Sequence, residues 1–129
     1  MELYIGGYAQ GKLEYVKAKH PGCRVYENLE DLKISEKSKS TKVLYNLHLI
    51  IKKKIADGTT PETIQAEIMN ITDCCPDLII ICDEIGCGIV PIDETERLYR
   101  ELTGRILIEI AKKADRVVRI SCGIPQAIK

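Results

Sequence analysis

A short apolar segment, Glu2 to Ile5, runs directly into Gly6-Gly7-Tyr8-Ala9-Gln10-Gly11-Lys12, and Leu13 to Lys19 follows with helical character. Strand, glycine loop and helix in that order is the arrangement in which a backbone wraps around an anion. The glycines let consecutive N–H groups turn inward, the helix N-terminus adds its positive end, and a lysine closing the loop reaches the outer phosphates. Gly6-x4-Gly11-Lys12 fills the first seven positions of the phosphate-binding pattern G-x4-G-K-[ST]; the eighth is Leu13, where a hydroxyl would ligate Mg²⁺. Gly6, Gly7, Tyr8, Ala9, Gln10, Gly11, Lys12 and Leu13 are therefore candidate nucleotide-binding residues, with Lys12 the candidate catalytic cation. The same residues also fit a tight Gly-Gly turn carrying an incidental lysine.

Beyond the loop, strand and helix signals alternate. His20-Pro21-Gly22 breaks the first helix, and Cys23 to Tyr26 reads as a brief extended segment before the polar stretch Asn28 to Ser40. Ser35 to Thr41 reads as a mobile surface loop. Lys42 to Tyr45 is a predicted strand feeding a helix over Asn46 to Ala56, with Leu47, Ile50, Ile51 and Ile55 on one face and Asp57-Gly58 ending it. Thr60 and Pro61 cap a helix over Pro61 to Ile71. Leu78 to Cys82 is apolar throughout, the pattern of a central parallel strand covered on both faces. After a loop over Ile85 to Pro91, Asp93-x-x-Glu96 opens the longest helix, with Leu98, Leu102, Ile106 and Ile110 as its buried stripe. Arg116 to Ser121 is the last predicted strand and Cys122 to Pro125 a turn. Such alternation predicts a single α/β domain spanning residues 1–129, a parallel sheet with helices on both faces and ligands at the carboxyl ends of the strands.

Composition narrows the function classes. The chain has 129 residues, 19 Lys+Arg against 19 Asp+Glu, no Trp, no Phe and 20 isoleucines, so its core is aliphatic and β-branched. Zero net charge argues against a nucleic-acid coat protein, and the scarcity of aromatic residues against base stacking on single strands. The start carries Glu2 and no basic leader, and no apolar run spans a bilayer, which predicts a cytoplasmic protein without membrane contact. Free thiols are expected for Cys23, Cys74, Cys75, Cys82, Cys87 and Cys122, whose spacing lacks the recurring C-x2-C of zinc sites.

Leu78 to Glu84 ends its hydrophobic run in two acids, the general form of the Mg²⁺-organising strand in phosphate-loop enzymes. Asp83 is the candidate magnesium ligand, acting through water, and Glu84 a candidate base or nucleotide ligand; strand-end acids facing solvent fit equally well. His20 and His48 are candidate catalytic groups by residue type but, as isolated histidines, also fit surface or structural roles. Lys52-Lys53-Lys54 reads as a solvated helix face, with phosphate steering the alternative.

Cys82-Asp83-Glu84-Ile85-Gly86-Cys87-Gly88-Ile89-Val90-Pro91, the Leu98 to Arg105 segment, Ala114-Asp115-Arg116-Val117-Val118 and Ser121-Cys122-Gly123-Ile124-Pro125 together resemble the adenosylcobinamide kinase/adenosylcobinamide-phosphate guanylyltransferase family. With the N-terminal Gly-Gly-x3-Gly-Lys the likeness covers both ends, about half of the chain, in the family's order. The resemblance implies a phosphate-loop α/β fold, usually trimeric, acting in cobalamin assembly with ATP or GTP and Mg²⁺. It implies phosphorylation of a corrinoid followed by GMP transfer through a guanylylated histidine. By the same resemblance Gly6 to Lys12 would hold the triphosphate, and Glu84 to Gly88, with Glu84, Ile85 and Gly86 as nucleotide-binding candidates, would lie near the guanine nucleotide, with Asp83 where the family has Asn. The chain departs from the family at Leu13, where the family has Ser. Tyr45-Asn46-Leu47-His48-Leu49 replaces an Asp-Cys-Leu-Thr-Leu-like stretch. A third departure lies between the first helix and Cys23 to Glu27, where the unit bearing the guanylylated histidine has no room. His20 is the histidine in that interval and the candidate surrogate nucleophile. An apolar patch left by the absent unit would be covered, for instance by another subunit. Two readings stay open: an active kinase or nucleotidyltransferase, and a degenerate protein that keeps the loop to sense nucleotide.

Overall fold

The computed structural model describes residues 1–35, 39–86 and 93–129. Five strands run parallel: β1 (Glu2–Gly6), β2 (Arg24–Tyr26), β3 (Lys42–Leu44), β4 (Ile79–Asp83) and β5 (Arg116–Ser121). A sixth, β6 (Ile124–Ala127), returns antiparallel to β5, and the order across the sheet is β2-β3-β4-β1-β5-β6. Parallel neighbours need crossovers, supplied by α1 (Lys12–Lys19), α2 (Leu29–Ile34), α3 (Leu47–Ala56), α4 (Pro61–Cys74) and α5 (Glu94–Lys113).

The α/β expectation holds, with helices on both faces but unequally distributed. Side chains alternate along each strand, so β1 sends Leu3 to one face and Tyr4 to the other. On the first face Leu3, Leu44, Ile80, Cys82 and Val117 meet Leu29 and Leu32 of α2, Leu47, Ile50 and Ile51 of α3, Ile64 and Ile68 of α4, and Leu102, Ile106 and Ile110 of α5. On the second face Tyr4, Val43, Ile79, Ile81, Val118 and Ile120 pack with Val16 of α1. The uninterrupted apolar run of β4 follows from that double burial.

Two elements differ from the sequence expectation. The polar stretch from Asn28 contains α2, whose N-cap Asn28 accepts the Asp31 N–H at 2.8 Å. Its six residues bury only Leu29 and Leu32, too few for a helical period to stand out in sequence. The chain end read as a turn over Cys122 to Pro125 is a hairpin. Cys122 (φ 53°) and Gly123 (φ 74°) form its two-residue loop, and Ile124 and Pro125 already belong to β6. Proline is tolerated there because β6 lies at the sheet edge. Helix α4 runs three residues past the expected Ile71, to Cys74. Most of the loop expected over Ile85 to Pro91, and residues 36–38 of the expected surface loop, lie outside the described residues. Among the described residues no helix is long and apolar enough to cross a membrane.

The α5 stripe gives an internal control, since Ile106 is fully buried and Ile108 is 58% exposed on the same helix. Ile106→Ala is expected to lower unfolding free energy by about 2–5 kcal/mol and Ile108→Ala by less than about 0.5 kcal/mol, compared by urea denaturation.

Candidate phosphate-binding site

The glycine loop begins where β1 ends, at the carboxyl edge of the sheet. Gly6 pairs in register with Asp83, and its carbonyl accepts the Glu84 N–H at 2.8 Å. A Cβ on Gly6 would lie 2.4 Å from the Ile120 carbonyl oxygen of β5, so a side chain is excluded by backbone. Gly11, at φ 86°, caps α1, and Ala9 takes a left-handed conformation at φ 54°. The hairpin turn after β5 closes over this loop. Gln10 accepts the Cys122 N–H at its side-chain oxygen (2.6 Å) and the Gly123 N–H at its carbonyl (2.9 Å). Tyr8 is 86% exposed at the loop tip. Leu13 is partly buried and packs against the α1-side core.

Lys12 is only 5% exposed. Its ammonium sits 2.7 Å from Asp83 Oδ1, donates to the Gly7 carbonyl at 2.6 Å and reaches the Gly6 carbonyl at 3.4 Å. All three of its protons are thus engaged. His48, the second residue of α3 and also buried, completes the cluster. Its Nε2 lies 3.4 Å from Asp83 Oδ2, and its Nδ1 accepts the Asp83 N–H at 3.1 Å. Burial lowers the His48 pKa from its ordinary value, with Asp83 opposing the shift and Lys12 and Lys52 adding to it, so the imidazole is held neutral at pH 7. Next along the chain, Glu84 accepts two hydrogen bonds from Arg119, at 3.1 Å from Nε and 2.6 Å from Nη2. Ile85 packs at the edge of the four-helix face, and Gly86 lies beside Arg100.

The structure brings Gly6 to Lys12, Asp83 and Glu84 to one edge of the sheet. It does not bring His20 there. His20 Nε2 lies 3.9 Å from Glu2 at the opposite end of β1, about 13 Å of strand away from Gly6. That nitrogen is buried and has no hydrogen-bond partner among the described residues. Of the lysine run, Lys54 is tied to Glu67 at 2.9 Å and Lys52 lies over the Tyr99 ring, so the run is only partly a solvated face. Three contributors escaped sequence reasoning: the Gln10 latch to Cys122-Gly123, the Arg119 partner of Glu84, and His48 as the partner of Asp83. For the first of these, the turn legible over Cys122 to Pro125 was the local signal.

Mg²⁺ is ordinarily held by one or two carboxylates together with substrate phosphates. Asp83 beside the loop meets that minimum, while Leu13 adds no donor. No group of three His, Cys, Asp or Glu side chains gathers among the described residues. The donor set fits an ion that arrives with a nucleotide.

Two outcomes test this geometry. Gly6→Ala is expected to cost about 2 kcal/mol or more of stability in a denaturant titration, because the Ile120 carbonyl cannot yield cheaply. Burial pushes the Cys82 thiol up to about 12, whereas Cys74 and Cys122 are exposed. Alkylation of the native protein at pH 8, read by peptide mass spectrometry, should label Cys74 and Cys122 and spare Cys82 until the chain is denatured.

Comparison with known proteins places the chain in a family. A family model described as cobinamide kinase / cobinamide phosphate guanyltransferase, CobU, matches residues 20–128. The chain is 31% identical over 72 residues to the bifunctional adenosylcobalamin biosynthesis protein CobU of Escherichia coli, a stretch covering 53% of this chain and 40% of that protein. It is 32% identical over 68 residues to the protein of the same description from Salmonella typhimurium, covering 53% and 38%. The match to the bifunctional adenosylcobalamin biosynthesis protein CobP of Pseudomonas aeruginosa is 29% over 73 residues, covering 54% and 42%. The chain thus matches about two fifths of the length of these relatives, and the glycine loop precedes the stretch matched by the family model. With most of the chain matched, this protein belongs to the cobinamide kinase / cobinamide phosphate guanyltransferase family.

Proposed function

We propose that the loop Gly6 to Lys12 binds the triphosphate of ATP or GTP, and that the protein takes part in phosphoryl or nucleotidyl transfer to a corrinoid in cobalamin assembly. The observation that carries this reading is the buried Lys12 ammonium, 2.7 Å from Asp83, at the adjoining carboxyl ends of β1 and β4. A buried cation at the end of a glycine loop and the start of a helix is placed to meet phosphate oxygens, and phosphoryl transfer depends chiefly on such positioning and charge neutralisation. Lys12 would exchange its Gly6, Gly7 and Asp83 contacts for the outer phosphates. Asp83 would then face Mg²⁺ carried by the nucleotide, through water, and Glu84, Ile85 and Gly86 would line the nucleotide's side of the crevice.

A second reading, nucleotide binding without transfer, is favoured by Leu13, which packs into the core where a hydroxyl would serve the metal. His20 has no role in either reading, because it lies at the other end of β1.

Calorimetry with ATP and with GTP, each with and without Mg²⁺, tests binding. Lys12→Ala should weaken nucleotide affinity by about tenfold or more, the loss of a charge-assisted contact; unchanged affinity would sink the triphosphate assignment. Incubation with adenosylcobinamide and γ-labelled ATP then separates the two readings. Labelled corrinoid that disappears in Lys12→Ala establishes transfer, whereas Mg²⁺-independent binding with no labelled product establishes the sensor.

A further inference from the structure

Asp83 is gripped from two sides. Lys12 Nζ faces Oδ1 at 2.7 Å, and His48 Nε2 faces Oδ2 at 3.4 Å, while His48 Nδ1 accepts the Asp83 backbone N–H at 3.1 Å. A ring nitrogen that accepts carries no proton, so the neutral imidazole keeps its proton on Nε2, whose 3.4 Å approach to Oδ2 is a packing contact and not a hydrogen bond. We propose that His48 is the positioning residue for Asp83: it accepts the Asp83 backbone N–H and packs its ring edge against Oδ2, so that Oδ1 stays turned toward the glycine loop when Lys12 leaves it for a phosphate. The proposal rests on the triphosphate reading and goes beyond it by assigning a second residue to the acid.

The need for such a grip follows from the lysine. Its three protons go to Asp83, Gly7 and Gly6, so an arriving phosphate can be met only by breaking one or more of these contacts. Release of the 2.7 Å contact would free an acid side chain to change rotamer, and with it the direction of the lone pairs offered to a nucleotide-borne ion. His48 prevents this because its own position is fixed independently of the loop. It is 6% exposed on the first turn of α3, beside Leu47, Ile50 and Ile51 in the four-helix core. α3 enters through Asn46 at φ 58°, which sets the helix start against the end of β3. An imidazole that orients an acid in this way acts as outer-shell support; removing such support costs about 10–100-fold in metal affinity or activity.

Two variants separate the contacts. His48→Asn keeps a carbonyl acceptor near the Nδ1 position, whereas His48→Ala removes both contacts. In the ligand-free protein, hydrogen exchange of the Asp83 amide should accelerate at least about tenfold in His48→Ala relative to the surrounding β4 amides and less in His48→Asn, a local opening. The ¹⁵N shifts of the His48 ring should report the Nε2–H tautomer. An Nδ1–H tautomer, or unchanged Asp83 exchange in His48→Ala, overturns the proposal, and neither readout requires nucleotide. With ATP, the Mg²⁺-dependent gain in affinity should fall about 10–100-fold in His48→Ala while Mg²⁺-free affinity stays within about twofold. Equal losses with and without Mg²⁺ would mark a merely structural residue and also overturn it. If the wild-type protein binds no nucleotide while the tautomer and exchange results hold, the clamp stands and the triphosphate reading alone fails.

Discussion

Gly6 and Asp83 stand opposite each other where β1 and β4 end, and the candidate site depends on that register. Parallel pairing puts the carboxyl ends of β1, β4 and β5 at one edge, so the loops leaving all three must meet. β1 lies between β4 and β5, which leaves its glycine loop flanked by the acids after β4 and by the hairpin turn after β5. The lack of a side chain on Gly6 permits the approach of β5, since any Cβ would collide with the Ile120 carbonyl. A shift of one residue between β1 and β4 would turn Asp83 to the opposite face and leave the Lys12 ammonium buried without its carboxylate.

A buried ion pair contributes little net stability against an apolar pair of the same size, while losing one partner is costly. Lys12 and Asp83 satisfy each other, and under the proposed function a polyphosphate would offer the lysine a stronger anionic partner at the same place. Glu84 and Arg119 form a second pair one strand across, half-exposed, so the rim has both signs without a net excess of either. This local balance matches the whole chain, whose 19 basic and 19 acidic residues cancel.

The legible parts of the fold were those written in consecutive residues. The strand, glycine loop and helix over Glu2 to Lys19, the apolar run of β4 and the four-residue spacing along α5 each carry a strong local period. α2 was hidden because two leucines in a polar stretch make no period, and β6 because Pro125 two residues after Gly123 resembles a turn more than an edge strand. Site residues divide the same way. Lys12 and Asp83 sit in recognisable patterns, whereas His48, Arg119 and Gln10 matter through partners 35, 35 and 112 positions away. His20 shows the converse: nearness in sequence to the glycine-loop helix placed it as a candidate, yet α1 carries the chain back along β1 to the far edge of the sheet.

The sequence by itself determined that this chain is an α/β protein with a glycine-rich loop at the end of its first strand, because hydrophobic period and glycine spacing are local properties of the chain. It also carried the likeness to the cobinamide kinase family, in ordered segments that need no structure to be compared. Only the tertiary structure decided which acid meets Lys12, that an imidazole from α3 grips that acid, and that His20 lies at the opposite end of the strand. Those outcomes depend on strand order and register, which are fixed when the two faces of the sheet bury their aliphatic side chains together.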